Sequence, residues 1–295
     1  MSKKDIELTL AELDAIKSLA KQVRMSFGVV STSVASDIRR ILERRDILIC
    51  EYPFNDIEKN KTYAYLTIIT VGTEEYTYIG LNTSIAYDEQ LFALAHELYH
   101  IETKTGLAYS FESDKEDERV ERCADRFAAE LLLPEEELKH LVVSEFGTDK
   151  LRGVPQTRML RFIASIQCDY WIPYKSIVKR LKEEKYISHE DYEWLYSIDA
   201  RSEDGIYYTI LKALNEDVAN ILNRRTETIG ISNRGIEYLI QNYEDGIIDD
   251  DEFVETLELF GKKPEDYGFD LLDWNDVDDE DFLEFIAPGE EEIES

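Results

Sequence analysis

The five residues His96-Glu97-Leu98-Tyr99-His100 constrain this chain more than any other part of its sequence. In an α-helix, positions i and i+4 lie one above the other on the same face, so the two imidazoles can reach one metal ion. Glu97 lies beside this pair, where a carboxylate can polarise a water molecule and carry its proton. The pattern therefore predicts a helix that binds a metal ion, with zinc as the expected metal.

The residues before this motif indicate that its helix is buried. The segment Leu91-Phe92-Ala93-Leu94-Ala95 is entirely apolar. Two histidines and a glutamate on one side of a buried helix are costly unless they are paired, and a metal ion provides that pairing. A pair of histidines on a solvated helix face is the alternative, and the apolar segment argues against it.

A third metal ligand is expected outside the motif, because a catalytic zinc site usually has three protein ligands and one water molecule. Glu121 is the best candidate, since it precedes Ala124 by about one turn at the edge of the apolar face of a second predicted helix. Glu118, Asp125 and Glu130 on the same helix remain alternatives. Asp125 is also placed to orient a ligand imidazole through a hydrogen bond.

The rest of the pattern predicts an α+β fold. Thr9-Leu10-Ala11-Glu12 has the form of a capping box and starts a helix that reaches about Met25. The predicted strands are short and lie near residues 47–50, 63–71 and 76–81, of which the last two form a β-hairpin. The other predicted helices lie near residues 32–42, 88–103, 115–133, 135–200 and 205–225, with a helix-turn-helix pair at 236–259.

The net charge of −31 argues against a surface for DNA or RNA phosphates and against docking on anionic membranes. No apolar run is long enough to span a bilayer, and no secretion signal is recognisable at the N-terminus. The three cysteines, Cys50, Cys123 and Cys168, are far apart and odd in number, which argues against a disulfide framework. Together these features predict a cytoplasmic protein without direct nucleic-acid or membrane binding.

The negative charge is concentrated towards the C-terminus. Residues 244–295 contain 22 acidic residues and 2 lysines, whereas the preceding residues carry a net charge of only −11. The segment also contains apolar residues that a solvated tail does not need, namely Leu271, Leu272, Trp274, Phe282, Leu283 and Phe285. We therefore expect a folded or interacting element that binds a basic partner or mimics DNA, with a solvated tail as the alternative.

Two segments resemble the ImmA/IrrE family of zinc metallopeptidases. That family pairs a HELGH-type helix with a second helix of the form E-x-x-A-[ND]-x-F-A-x-x-L-L-x-P. The first helix is matched by residues 96–100, and the second by Glu121-Arg122-Cys123-Ala124-Asp125-Arg126-Phe127-Ala128-Ala129-Glu130-Leu131-Leu132-Leu133-Pro134. Ile79-Gly80-Leu81-Asn82 is similar to the strand that ends in Asn before the first helix of this family. The resemblance covers about residues 10–190.

The resemblance implies His96, His100 and Glu121 as zinc ligands and Glu97 as the general base. It implies a zincin-like α+β core, in which a small antiparallel sheet packs on the active-site helices, followed by a helical region and an acidic C-terminal extension. We expect four regions, which are an N-terminal helical region at 1–50, the metallopeptidase core at 51–140, a winged-helix-like helical region at 141–200 and an acidic helical region at 201–295.

The sequence departs from the family pattern at two places. Tyr99 replaces the glycine of HELGH, and Ile101-Glu102-Thr103 replaces the His and Leu that often follow the motif. Tyr99 lies between the two histidines in sequence and is expected to point away from the metal. Neither change removes a metal ligand, so activity is still expected.

Two functions are compatible with these features. One is a zinc-dependent endopeptidase that hydrolyses a protein, with helix-turn-helix repressors of the XRE type, in phage or stress regulation, as the substrates that the resemblance implies. The other is a non-catalytic regulator with a structural metal site and an acidic, DNA-mimicking region that binds a partner. Glu97 distinguishes them, because a structural site does not need this carboxylate and would have a fourth protein ligand.

Overall fold

A computed structural model describes residues 7–29, 32–54, 62–71, 74–105 and 115–269 of the chain. Its contacts group into two compact units, Met1–Ile236 and Glu237–Ser295. The predicted metal-binding motif and the whole β-sheet lie in the first unit. The division into four regions made from the sequence stays a prediction, and the two units are described separately.

The described residues form an α+β fold, which confirms the predicted class. The strands are β1 (Ile47–Tyr52), β2 (Ala64–Val71), β3 (Glu74–Asn82) and β4 (Gly230–Ile231). The helices are α1 (Leu10–Ser26), α2 (Ile38–Glu43), α3 (Tyr87–Thr103), α4 (Lys115–Leu132), α5 (Glu135–Phe146), α6 (Gln156–Tyr170), α7 (Tyr174–Glu183), α8 (His189–Ser197), α9 (Ile206–Leu214), α10 (Glu216–Asn223), α11 (Asn233–Glu244) and α12 (Asp250–Leu259). Short 3-10 turns lie at Ala35–Asp37 and Pro264–Tyr267.

Helix α1 begins at the capping box that the sequence predicts. The Thr9 hydroxyl accepts a hydrogen bond from the Glu12 backbone N–H at 3.3 Å, and the Glu12 carboxylate accepts one from the Thr9 N–H at 2.7 Å. These two bonds satisfy donors that a helix N-terminus otherwise leaves free. The carboxylate of Glu12 also pairs with the guanidinium of Arg119 at 2.5 Å, which joins α1 to α4.

The sheet has the strand order β2-β3-β1-β4 and is mixed. Strands β2 and β3 form the predicted antiparallel hairpin, in which Leu66 pairs with Ile79. On the other side of β3, however, β1 runs parallel to it, with Ile49 opposite Ile79. The expected antiparallel sheet is therefore corrected to a mixed one. The alternation of apolar residues defines the buried face of a strand but carries no information on the direction of its neighbour.

Helices α3 and α4 form the layer that carries the predicted metal-binding residues. Helix α3 packs on β2 and β3, and α4 packs on α3. Apolar side chains fill the contact between these elements. The fully buried ones are Leu94, Ala95 and Leu98 of α3 and Ala124, Phe127, Ala128, Leu131 and Leu132 of α4. Burial of this kind contributes roughly 1.5–3 kcal/mol for each large side chain, which holds the two helices in a fixed register.

The residues after α8 return to the start of α3 and close the first unit. Arg201 forms an ion pair with Asp88, a fully buried residue of α3. The other carboxylate oxygen of Asp88 accepts a hydrogen bond from Gln167 Nε2 at 2.7 Å. Further along, β4 pairs antiparallel with β1. These contacts make residues 199–232 part of the body that supports the metal-binding helices.

The second unit has a small aromatic core of its own. The ring of Tyr243 stacks on that of Phe253 at 4.3 Å, and both rings contact Phe269 edge-on. Gly246 has a φ of 67°, a left-handed conformation that favours glycine and turns the chain between α11 and α12. The helix-turn-helix prediction for residues 236–259 agrees with these two helices.

The apolar residues predicted to give the acidic tail a function lie at 271–285, outside the described residues. None of the described helices combines the length and the apolar character that crossing a membrane requires.

Candidate metal centre

Two neighbouring helices bring three metal-binding side chains to one point. Helix α3 supplies His96 and His100, and α4 supplies Glu121. The Nε2 atoms of the two histidines are 3.2 Å apart. One carboxylate oxygen of Glu121 lies 3.2 Å from His96 Nε2, and the other lies 3.4 Å from His100 Nε2. The three side chains thus present a triangle of donor atoms.

The size of this triangle fits a tetrahedral zinc ion. With ligand bonds of about 2.0–2.1 Å, two donors of a tetrahedral site are about 3.3–3.4 Å apart. The distances between the donor atoms, 3.2 to 3.4 Å, match that spacing without any movement of the backbone. Within the described residues the group contains these three donors. Two imidazoles and one carboxylate, with one position left for water, are a donor set of catalytic zinc sites.

Hydrogen bonds fix the orientation of both imidazoles. Asp125 lies one turn after Glu121 on α4, and its Oδ1 is 3.1 Å from His96 Nδ1. Thr105 holds the other ring, with its hydroxyl 3.3 Å from His100 Nδ1. Lys104, with a φ of 55°, ends α3 in a left-handed turn that brings Thr105 back towards the helix. Both Nδ1 atoms are therefore engaged, which directs both Nε2 atoms to the same point.

The electrostatics of the centre favour a cation. Burial lowers the pKa of His96, but the hydrogen bonds that its ring donates to the carboxylates of Asp125 and Glu121 outweigh this effect and raise the pKa to about 10. Hydrogen bonds to His100 and His96 hold the pKa of Glu121 far below its usual range. Two carboxylates beside two imidazoles are stabilised by a positive charge at their centre, which a divalent cation provides.

Glu97 lies beside the three donors, at the wall of a cleft. Its side chain is buried, and burial raises the pKa of its carboxyl above the usual value. The cleft has a volume of about 680 Å³ and is lined by α3, α4, α7, the start of β2 and Tyr196 of α8. His96, Glu97, Glu121 and Asp125 all line it. The group can therefore meet a molecule that enters from solvent.

Residues 42–182 match the family model of the IrrE N-terminal-like domain, Peptidase_M78. The chain contains a domain of this peptidase family. The match confirms the resemblance to ImmA/IrrE proteins and identifies the domain as metallopeptidase-like. Among curated proteins, none matches the chain.

The other acidic candidates in α4 of the IrrE N-terminal-like domain do not join the group of donors. Glu118 lines the cleft but is exposed and does not join the group of donors. Glu130 is buried away from it, where its carboxylate lies 2.9 Å from Arg180 Nη1 and accepts a hydrogen bond from the Glu135 backbone N–H at 2.9 Å. The placement of α4 against α3 thus brings Glu121, rather than these two neighbours, to the histidines.

Tyr99, the departure from the family pattern in this domain, does not line the cleft. Its ring packs against Phe127 of α4 at a centroid distance of 5.5 Å. Burial and the neighbouring Cys123 thiol raise the pKa of Tyr99 to about 12. The larger side chain therefore fills space between α3 and α4, where its ring also meets the His100 ring edge-on at a centroid distance of 5.9 Å.

Sequence reasoning missed several residues of the centre and its cleft. Thr105 follows the motif by five positions and carries no recognisable signal. Lys175 and Lys179 come from α7, which the sequence identifies only as a helix. The two histidines outside the motif, His140 and His189, are exposed and do not line the cleft.

Proposed function

We propose that this chain is a zinc-dependent endopeptidase that hydrolyses a protein substrate. In this proposal His96, His100 and Glu121 hold the zinc ion, and Glu97 is the general base. The observation that carries the proposal is the triangle of donor atoms, 3.2 to 3.4 Å apart, at the wall of an open cleft. The match of residues 42–182 to a peptidase family supports the same reaction.

The side chains of the cleft fit the steps of peptide hydrolysis. A zinc ion held by His96, His100 and Glu121 would supply a positive charge that polarises the attacking water and the scissile carbonyl. Glu97 accepts a proton as the water oxygen bonds to the carbonyl carbon. It then delivers this proton to the amide nitrogen, whose bond to that carbon breaks to release an amine and a carboxylic acid. Asp125 keeps the His96 ring in its orientation throughout.

The cleft suits a short stretch of polypeptide rather than a small molecule held in an enclosed pocket. A volume of about 680 Å³ is within the range of ligand sites, and this cleft is open to solvent. A helix-turn-helix repressor of the XRE type is the substrate that the family resemblance implies. We propose that the reaction takes place in the cytoplasm, where the three free thiols stay reduced.

In the same proposal, the acidic C-terminal region attracts the substrate. Residues 244–295 carry 22 acidic side chains against 2 lysines, and such a field attracts a positively charged protein. A DNA-binding repressor is basic on the surface that contacts phosphates. The acidic region would then raise the local concentration of substrate without itself contacting nucleic acid.

The test combines metal analysis with a cleavage assay on repressors encoded near the gene. We expect Glu97→Gln to keep its zinc and to lose cleavage by at least about 100-fold, because the general base is gone. Glu118→Gln is the matched control, since Glu118 lines the same cleft outside the donor group, and it should cleave normally. Cleavage by Glu97→Gln at the wild-type rate would show that the mechanism is wrong.

A non-catalytic regulator with a structural metal site is the competing function. A structural zinc site is closed by four protein ligands. Within the described residues the donor group has three members, and a carboxylate with no structural task lies beside it. These two observations favour the endopeptidase.

A further inference from the structure

Helix α7 forms a wall of the cleft opposite the metal-binding helices. The residues by which it lines the cleft are spaced as one face of a helix, and they are Lys175, Ser176, Lys179, Arg180 and Glu183. Pro173, the residue that precedes the helix, lines the cleft as well, so the N-terminal end of α7 also faces it. This end of a helix carries a partial positive charge.

Most of the charged groups on this wall are neutralised by neighbours. The guanidinium of Arg180 is buried and lies 2.9 Å from a carboxylate oxygen of Glu130. Glu183 accepts a hydrogen bond from Arg122 of α4. These ion pairs tie α7 to α4 and leave little net charge behind.

Two lysines on the wall have no such neutralising partner. Among the described residues, no carboxylate lies within 4 Å of the ammonium of either Lys175 or Lys179. The ammonium of Lys175 lies 5.1 Å from the centre of the Tyr196 ring, a cation–π contact along the cleft. Lys179 is half-buried, and its charge acts on Asp125, which places it towards the metal centre.

The position of these two lysines is unexpected in a chain with a net charge of −31. Lysines normally lie on solvated surfaces, and a solvated face is the ordinary explanation for two of them four residues apart. Here both line the cleft, one turn apart on one helix, with the half-buried Ser176 hydroxyl beside them. An anionic group that enters the cleft would meet two ammonium groups and a hydroxyl donor.

We propose that Lys175 and Lys179 form a subsite that binds an acidic side chain of the substrate close to the scissile bond. This inference rests on the proposed endopeptidase function and adds a substrate class to it, namely polypeptides with Asp or Glu at one position near the cleavage point. The net charge of the whole molecule opposes such a preference, because a strongly acidic protein repels acidic peptides at long range. A preference for acidic peptides would therefore have to come from local contacts in the cleft.

The test measures binding separately from hydrolysis. Fluorescein-labelled synthetic decapeptides of mixed sequence are prepared as two pools, one with Asp and Glu at the variable positions and one with Asn and Gln in their place. Their binding to the full-length, zinc-loaded Glu97→Gln variant is followed by fluorescence anisotropy. We expect the acidic pool to bind about three- to tenfold more tightly, as two partly exposed ion pairs provide.

Charge reversal identifies the residues responsible. The double change Lys175→Glu and Lys179→Glu should abolish the preference for the acidic pool and favour a third pool that contains Lys. Lys175→Gln with Lys179→Gln, a milder change, should abolish the preference without creating the new one. Lys182→Glu is the matched control, because Lys182 is on the same helix, contacts the Tyr192 ring at 3.9 Å and does not line the cleft. It should keep the wild-type preference.

The subsite would be overturned if the acidic and amide pools bound equally tightly, or if neither pool bound. A preference that survives both double variants would also overturn it. If the preference is present but the wild-type protein cleaves no peptide of the acidic pool, the subsite stands and the proposed endopeptidase function fails. If the wild type cleaves but the cleaved peptides show no enrichment of Asp or Glu, the function stands and the subsite fails.

Discussion

At the scale of single residues, the contact between Asp125 and His96 decides how well the centre can hold a metal ion. The carboxylate lies 3.1 Å from Nδ1, so a ring that binds a metal ion keeps its proton on that nitrogen and offers the lone pair of Nε2. His96 faces the cleft from a largely buried position, where few other groups can hold its ring. The orientation of this ligand therefore depends on Asp125.

Replacement of Asp125 by alanine should weaken zinc binding by about 10- to 100-fold, as is typical for the loss of such a partner. The measurement is competition for zinc with a chelator of known affinity. Glu118→Ala is the control, since it removes a carboxylate from the same helix that does not contact the imidazole. Equal zinc affinities of Asp125→Ala and the control would contradict this role.

The sequence alone could identify some residues of the centre but not others. His96, Glu97 and His100 follow from their spacing on one helix face. Spacing left four carboxylates of α4 open as the third donor, because only the placement of α4 against α3 decides which of them reaches the two histidines. That placement is set by the packing of apolar residues from both helices. The position of Thr105 beside His100 depends on a left-handed turn at Lys104, which no sequence pattern predicts.

At the scale of elements, a buried group of charges joins α4 to α7 at the wall of the cleft. Arg126 pairs with Glu184 at 2.7 Å, and Arg180 pairs with Glu130 at 2.9 Å. Glu135 and Glu184 add negative charge around Glu130. Burial raises the pKa of Glu130 to about 7, with the nearby carboxylates acting in the same direction and Arg126 against it.

This raised pKa makes stability depend on pH in a definite direction. The folded protein holds the Glu130 proton more tightly than the unfolded chain does. The stabilising contribution of this protonated carboxyl is therefore complete below about pH 4.5 and is lost as the pH rises to about 7. Relative to Glu130→Gln, the free energy of unfolding of the wild type should fall by about 2–3 kcal/mol between pH 5 and pH 8. Urea unfolding of both proteins at the two pH values measures it. A difference between the proteins that does not change with pH would contradict this account.

The elements that the sequence predicted well have strong local signals. Helix α1 starts at its capping box, and β2 and β3 form the expected hairpin around a short turn. The parallel pairing of β1 with β3 has no signal in the local sequence, because it depends on whether β1 lies next to β2 or next to β3 in the folded sheet. Strand β4 has only two residues, Gly230 and Ile231, and no periodicity can be read from so short a segment.

At the scale of the whole molecule, the compact unit around the metal centre is longer than the family match. The match ends at residue 182, whereas the unit extends to Ile236. The additional residues supply Arg201 to the buried Asp88 and add β4 to the sheet. The IrrE N-terminal-like domain of this chain is thus completed by a segment that the sequence assigned to the acidic C-terminal region.

Truncation tests this extended unit. A chain that ends at Glu244, after α11, should keep its zinc site and unfold cooperatively. A chain that ends at Ala200 should be less stable by at least about 3–5 kcal/mol, because Asp88 stays buried without its guanidinium partner. Urea unfolding followed by circular dichroism compares the two. Equal stability of both chains would show that residues 201–236 are not part of the unit.

The zinc content of the purified protein tests the central claim most directly. Elemental analysis should find zinc equimolar with the wild-type chain and with Glu118→Gln, and strongly reduced zinc in Glu121→Gln. This result follows if the carboxylate of Glu121 completes the triangle of donors with His96 and His100. A wild-type protein without zinc, or a Glu121→Gln variant with the full amount, would contradict the account.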